Sequence, residues 1–237
     1  MTSQPGKDQL QLDRVAFYGR TFDEYVRIFD LDLDKWKGCS ILDCPSGAAS
    51  FVSEATRRGF RAVACDPQFG ESVEILHERG RFDIDHVLER TAQVRHLYRW
   101  EFYKNVDQLR EHRSRALRLF AEDYPKGFAQ GRYVKGALPH LPFADRAFDL
   151  VLSGHFLFTY SDKFDFAFHE AAVRELRRVC AKEVRIYPIQ GPDSKPYPRM
   201  AELLDGLRRD HILAEIVPVP FEFQRGSNHM LRLVARD

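Results

Sequence analysis

The chain is predicted to adopt an α/β fold: a central, mostly parallel sheet with helices on both faces, an antiparallel C-terminal hairpin strand and a helical insertion. Three observations predict it. Short apolar runs alternate with helix-periodic stretches from about residue 40 onward. The last two runs, "AEIVPVPFEF" and "HMLRLVA", are separated only by "QRGSN". That is too short for a parallel crossover, so they pair antiparallel. Between the second and third runs, residues from about 70 to 130 are helix-like, and the stretch is too long for one crossover helix. The length of 237 residues suits a single domain, 1–237, carrying this insertion at about 70–130.

The elements follow in order. "CSILDC" reads as a short buried strand. "AASFVSEATRRG" is a helix that turns Phe51, Val52 and Ala55 inward and stops at Gly59. "RAVACD" is a second strand ending at Asp66, "RYVKG" a weaker third and "FDLVLSG" a clear fourth. "DKFDFAFHEAAVRELRRVC" is helical, with Phe164, Phe168, Ala172, Leu176 and Val179 in one stripe and Cys180 at its end. "EVRIYPI" is a fifth strand and "RMAELLDGLRRDHIL" a further helix. Before all of these, "FYGRTFDEYVRIFDLD" mixes Phe17, Phe22 and Phe29 with the polar-tipped Tyr18, Arg20 and Tyr25.

Composition narrows the function. Hydrophobic residues make up 44% of the chain, enough for a core, and the net charge of +1 excludes a general polyanion-binding character. Four cysteines show no CxxC spacing, so reduced thiols are expected. The N-terminus "MTSQPGKDQLQLDR" has no apolar h-region, and no apolar run has the length of a membrane span. A soluble, cytoplasmic protein is expected. The histidines are scattered, and "HEAAV" at His169 lacks the second histidine of H-E-x-x-H, so no metal site is expected.

The segment "ILDCPSGAASF" carries the chemistry. Strand, tight turn, helix, strand and acid is the plan of a Rossmann-like nucleoside site. Asp66 lies nineteen residues beyond Gly47, placed to accept ribose hydroxyls. No Lys follows Gly47, which argues against a phosphate-binding P-loop. Pro45 supplies no N–H for a pyrophosphate, which argues against a dinucleotide. S-adenosylmethionine carries no phosphate, and its cationic groups suit a nearby Asp43.

These residues resemble the class I, seven-stranded S-adenosylmethionine-dependent methyltransferases. "LDCPSGAAS" is similar to their first motif, with Pro45 and Ala49 in place of two glycines. "LPHLPFADRAFDLVLSGHFLF" resembles the stretch leading into their fourth strand, and the closing antiparallel pair is also theirs. The resemblance spans roughly Ser40 to the end. It implies S-adenosyl-L-methionine as cofactor, with Asp43, Pro45 and Gly47 beside the methionine part and Asp66 on the ribose. Ala137 stands where the family often has an acid for the adenine amino group, so backbone at Ala137 and Leu138 takes that place. Tyr18 and Arg20 are further cofactor candidates, Arg20 as a partner for the methionine carboxylate or, equally, as a solvated or salt-bridged residue.

The methyl acceptor is expected at the end of the fourth strand, where "SGHFLFTYSD" places Ser153, His155, Phe156 and Tyr160. Ser153 joins the cofactor set. His155 is the candidate general base, with Tyr160 beside it; a histidine filling a strand end is the competing reading. Trp100 and Tyr103 in the insertion, Phe156, and Asn228 and His229 near the hairpin are the candidate acceptor-binding residues. The insertion interleaves Tyr98, Trp100, Phe102 and Tyr103 with Arg95, Arg99 and Lys104. That pattern suits a lid over an aromatic pocket or a nucleic-acid surface. A small-molecule methyltransferase is therefore the first expectation. An RNA methyltransferase and a cofactor-binding module without transfer are the alternatives.

Overall fold

The computed structural model describes residues 9–234. The reading of a polar leader falls partly on residues 1–8, outside the described residues. Seven strands form one sheet: β1 (Ser40–Asp43), β2 (Arg61–Asp66), β3 (Tyr133–Lys135), β4 (Phe148–Gly154), β5 (Cys180–Tyr187), β6 (Leu213–Pro218) and β7 (His229–Val234). Their order is β3-β2-β1-β4-β5-β7-β6. The first five are parallel, and β7 runs antiparallel to both β5 and β6. The order reverses at β1, which pairs with β2 on one side and β4 on the other. That switch point is where an open α/β sheet has its crevice.

Alternation along the strands divides the core in two. Ile41, Leu150 and Leu152 face the side covered by α1 (Phe22–Ile28), α2 (Phe51–Arg57) and α4 (Val106–Ala129). Leu42, Val151, Val184, Leu231 and Leu233 face α5 (Phe166–Arg178) and α6 (Met200–Arg209). Helices thus cover both faces, as a parallel sheet requires.

The chain between β2 and β3 forms α3 (Val73–Gln93), a short 3₁₀ turn (Arg95–Leu97) and α4. Ser72 caps α3 by accepting from Ile75 N, and Asn105 caps α4 by accepting from Gln108 N. The two long helices pack closely at Gly80, where an added Cβ would lie 2.5 Å from Leu117 Cδ1.

Two boundaries differ from expectation. β6 ends at Pro218, so the connection to β7 runs over 219–228 rather than "QRGSN" alone. Val219 and Phe221 are buried there, so the chain leaves the sheet to cover the core. Cys180 begins β5 and is not a helix end; α5 stops at Arg178, with Val179 as its cap.

Candidate active site

A cavity of about 330 Å³ opens at the C-terminal ends of β1, β2 and β4. Its floor comes from the turns after those strands. Pro45, Ser46 and Gly47 follow β1, Asp66 and Gln68 mark the end of β2, and Gly154, His155 and Phe156 mark the end of β4. Ala137 and Leu138, shortly after β3, complete it. Three other segments form the roof: Leu10 to Arg20 before α1, the insertion through Val87, Thr91, Tyr98, Leu109 and Arg113, and Phe223 and Gln224 between β6 and β7.

The turn after β1 is held from both sides. Gly47 has φ +55°, and a Cβ there would lie 2.9 Å from the Tyr18 carbonyl. Glycine is needed because the segment before α1 lies directly on the turn. From below, Asp66 Oδ2 accepts from Gly47 N at 2.9 Å, and Oδ1 accepts from Gln68 N at 3.0 Å. A carboxylate oxygen has a second lone pair, so both remain able to accept ligand hydroxyls. Burial pushes the Asp66 carboxyl up to about 6.

Asp43 is placed differently from expectation. It is fully buried, does not line the cavity, and accepts from Tyr25 Oη at 2.9 and 3.1 Å. Tyr25, on α1, lines the cavity in its stead. Burial pushes Asp43 up to about 7.

His155 has a left-handed backbone, φ 52°, and its N–H donates to the Tyr187 carbonyl at 2.6 Å. Its ring meets Tyr187 edge-on at 5.0 Å, and its buried Nδ1 has no hydrogen-bond partner among the described residues. Burial, with Arg20 and Arg113 nearby, holds the imidazole well below its ordinary pKa, so the ring is uncharged at neutral pH. Tyr160 also lines the cavity, and its oxygen accepts from Ala16 N at 3.1 Å. Burial raises its phenol to about 12, so the hydroxyl keeps its proton.

Of the residues singled out in the sequence, Tyr18, Arg20, Pro45, Gly47, Asp66, Ala137, Leu138, His155, Phe156 and Tyr160 come together around this cavity. Six do not line it. Besides Asp43, Ser153 is buried on the face of β4 that it shares with Val151, towards α5 and α6. Trp100 lies a layer outside, packed on Phe223 at 5.3 Å and Tyr98 at 6.2 Å, the two rings that do face the cavity. Tyr103 is fully buried and bonds Glu24 and Arg113. Asn228 and His229 bond one another at the start of β7, Oδ1 to Nδ1 at 2.8 Å.

Two residues that sequence reasoning missed shape the roof. Arg113, on α4, is 1% exposed and lines the cavity. It pairs with the fully buried Glu24 of α1 and donates to Tyr103 Oη at 2.8 Å. Burial opposes the charge on Glu24, yet Arg113 and Arg20 hold its carboxyl at about 2. Asp83, on α3, is 1% exposed and accepts from Phe17 N at 2.7 Å and from Arg14. "TFDE" does carry a capping-box signal for Glu24, and Thr21 N donates to Glu24 Oε2 at 2.9 Å. Its ion pair spans 89 residues and leaves no local mark.

The insertion is also tied to the connection between β6 and β7. Arg99 N donates to the Phe223 carbonyl at 2.7 Å, and Arg225 N donates to the Leu97 carbonyl at 2.8 Å. The Arg99 guanidinium pairs with Glu222 at 2.7 Å.

The residues present fit S-adenosylmethionine. The cavity volume is at the lower end of the range for small-ligand sites, roughly 300–1,000 Å³. A carboxylate with free lone pairs stands at the end of β2. Arg20 lines the same cavity, lies over the Tyr18 ring at 5.7 Å and makes no ion pair among the described residues. Among those residues, no group of three or more His, Cys, Asp or Glu side chains is arranged to hold a metal ion. Among the described residues no helix is long and apolar enough to cross a membrane.

Residues 96–187 match the model of a family described as "Methyltransferase domain". The chain is 30% identical over 223 residues to the uncharacterized protein MJ0045 of Methanocaldococcus jannaschii, covering 94% of this chain and 97% of that one. Among solved structures it is similar to an S-adenosylmethionine-dependent methyltransferase from Aquifex aeolicus, at 14% identity and TM-score 0.42, covering 89% of this chain and 90% of that one. It is also similar to magnesium protoporphyrin IX methyltransferase from Synechocystis PCC 6803, solved with bound S-adenosylmethionine. That likeness has 10% identity and TM-score 0.47, and covers 91% of this chain and 78% of that one.

Proposed function

The chain belongs to the class I S-adenosylmethionine-dependent methyltransferases, and from that premise we propose that it methylates a small-molecule acceptor enclosed between the strand ends and the helical insertion. The observation that carries the reading is the roof. Segments before α1, from α3 to α4, and between β6 and β7 close over the strand ends, and the last two are joined by backbone hydrogen bonds. A roof so built suits a small enclosed molecule and acts as a lid, excluding water from the reacting centre.

The RNA reading calls for a face of unpaired arginines. Here Arg99 pairs with Glu222, Arg110 with Asp85 and Arg118 with Glu122. These pairings reduce the charge that the insertion can offer to phosphates.

When bound, S-adenosylmethionine supplies a methyl group activated by a positive sulfonium. The chain's own residues hold and orient. Asp66 takes the ribose hydroxyls, backbone at Ala137 and Leu138 meets the adenine, and Arg20 takes the methionine carboxylate. Tyr18, Pro45 and Gly47 shape the turn around it. Asp43 and Ser153 act from behind the wall, Asp43 through Tyr25. His155, kept uncharged, is the base that accepts the acceptor's proton, and Tyr160 with Phe156 borders the acceptor. Trp100 and Tyr103 support the acceptor wall from its second layer, and Asn228 and His229 anchor the connection that carries Phe223. The buried thiols Cys44, Cys65 and Cys180 support a cytoplasmic location.

Incubation with methyl-labelled cofactor and a cell extract, followed by separation of small molecules from RNA, tests the proposal. Label is expected in the small-molecule fraction. Label in RNA would move the assignment to the RNA reading. Binding without transfer to any fraction would leave a cofactor-binding module.

A further inference from the structure

Resting on the reading that this cavity takes S-adenosylmethionine and a small acceptor, we infer that the acceptor carries a carboxylate on an apolar, ring-containing body, and that Arg113 receives the carboxylate. The argument starts from the charges facing the cavity. Arg20, Arg113 and Asp66 are the residues with full charges among those lining it. Asp66 sits at the end of β2 with both oxygens already on turn N–H groups, on the cofactor side. Glu24 and Asp83 are 0% and 1% exposed and do not line the cavity. Glu24 already balances Arg113, so a cationic acceptor would meet the uncompensated Arg20 and the sulfonium with no carboxylate on its own side. An anionic one meets complementary charge.

The two arginines, which both lie over the Tyr18 ring, differ in what holds them. Arg20 is tied to the cofactor turn, its carbonyl accepting from Ser50 N at 3.1 Å. Arg113 lines the cavity from α4. Its guanidinium lies over the Tyr18 and Tyr103 rings, each at 5.1 Å, and is locked by Glu24 and Tyr103. Such a group is preorganised, which favours planar recognition of a carboxylate. Its five N–H donors exceed what Glu24 and Tyr103 take, and the buried Nε has no partner among the described residues. Buried donors in folded proteins are rarely left unmade, so a ligand oxygen is the natural complement.

The body of the acceptor follows from the rest of this wall. Leu12, Val87, Leu109, Tyr98 and Phe223 present apolar and aromatic surface. Arg113, Arg20 and His155 line the same cavity, so the anion site and the reacting end share one small volume. The acceptor is accordingly a short molecule.

The test is calorimetry on protein saturated with S-adenosylhomocysteine, using 3-phenylpropionate, 3-phenylpropanamide and 3-phenylpropylammonium as matched probes. Wild type is expected to bind the carboxylate roughly tenfold or more tighter than the amide, and the ammonium most weakly. The double variant Arg113→Met with Glu24→Gln avoids leaving a buried charge unpaired. It should lose the carboxylate preference while still preferring S-adenosylhomocysteine over 5′-methylthioadenosine. Arg113→Lys, which keeps the ion pair but not the fork, should lose part of the preference and covers the case in which the double variant fails to fold. Equal affinity for the three probes, preference for the ammonium, or no binding of any probe would overturn the inference. So would a variant that loses its preference for S-adenosylhomocysteine over methylthioadenosine, since Arg113 would then belong to the cofactor. A wild type that binds no S-adenosylhomocysteine overturns the underlying reading and this inference with it.

Discussion

The floor and the roof of the cavity are built in opposite ways. The floor uses short runs at strand ends, where a residue's position follows from the strand before it. Asp66 ends β2, and His155 directly follows β4. The roof uses residues brought together across long stretches of chain: Phe17 N on Asp83, Arg113 on Glu24, Arg99 N on the Phe223 carbonyl. Backbone geometry fixes the floor before any ligand is considered. The roof exists only through pairings between distant segments, several of them polar and buried. Groups whose positions must be exact can therefore sit on the floor, while the shape of the space above them is set by long-range pairings.

The sharpest way to break this division is at the floor. His155→Ala is expected to lower turnover roughly 10²–10⁴-fold with S-adenosylhomocysteine affinity close to wild type. His155→Asn tolerates the left-handed backbone and should lose turnover equally. Single-turnover kinetics would show it; full turnover in a folded variant removes the base and leaves positioning. The acidic limb of the pH–rate profile should lie below the ordinary histidine range, because burial and the two arginines disfavour the imidazolium.

The roof should respond next, and through stability. Glu24→Ala leaves Arg113 buried without its counter-charge, at a cost of about 3–5 kcal/mol in denaturant unfolding. The Glu24 carboxyl is held at about 2 in the folded chain, below its unfolded value of 4.5. Its contribution is therefore complete above that unfolded value and is lost as pH falls towards 2. Wild type and variant should converge over that interval. A constant difference down to pH 2 would mean that packing, not the ion pair, holds α4 to α1.

The smallest effect sharpens the floor again. Asp66→Asn should weaken S-adenosylhomocysteine binding by about 1.5–3 kcal/mol at neutral pH. In wild type the Asp66 carboxyl is raised to about 6. Cofactor affinity should thus fall as pH drops through that value, when a hydroxyl acceptor becomes protonated, and the variant should be flat there by calorimetry. Unchanged affinity in Asp66→Asn would remove the ribose contact.

Legibility in the sequence follows the same line. The sheet was readable because each strand is a compact apolar run, and "FDLVLSG" coincides with β4. The turn around Gly47 was readable because its neighbours are adjacent in sequence. Asp43 is less legible, because a strand-end acid looks alike whether it faces a ligand or, as here, a tyrosine from another helix. Aromatic composition at Trp100 and Tyr103 marks burial without saying which layer of rings is innermost; Tyr98 and Phe223 hold that place. Arg113 was one arginine among many on α4, and only the fold singles it out by burying Glu24 against it.

The clasp between Leu97–Arg99 and Phe223–Arg225 has a consequence for how the protein survives in a cell. The cavity draws on residues from Leu10 to Gln224, nearly the whole described chain. No fragment and no partly unfolded molecule retains a complete cavity. A ligand held there binds the native state alone and raises its stability by mass action, by about 2.7 kcal/mol at a hundred times the dissociation constant. Local opening of the roof, the first step by which a protease gains a loose segment, is suppressed to the same degree. Protein saturated with cofactor is therefore expected to resist proteolysis longer than the free chain.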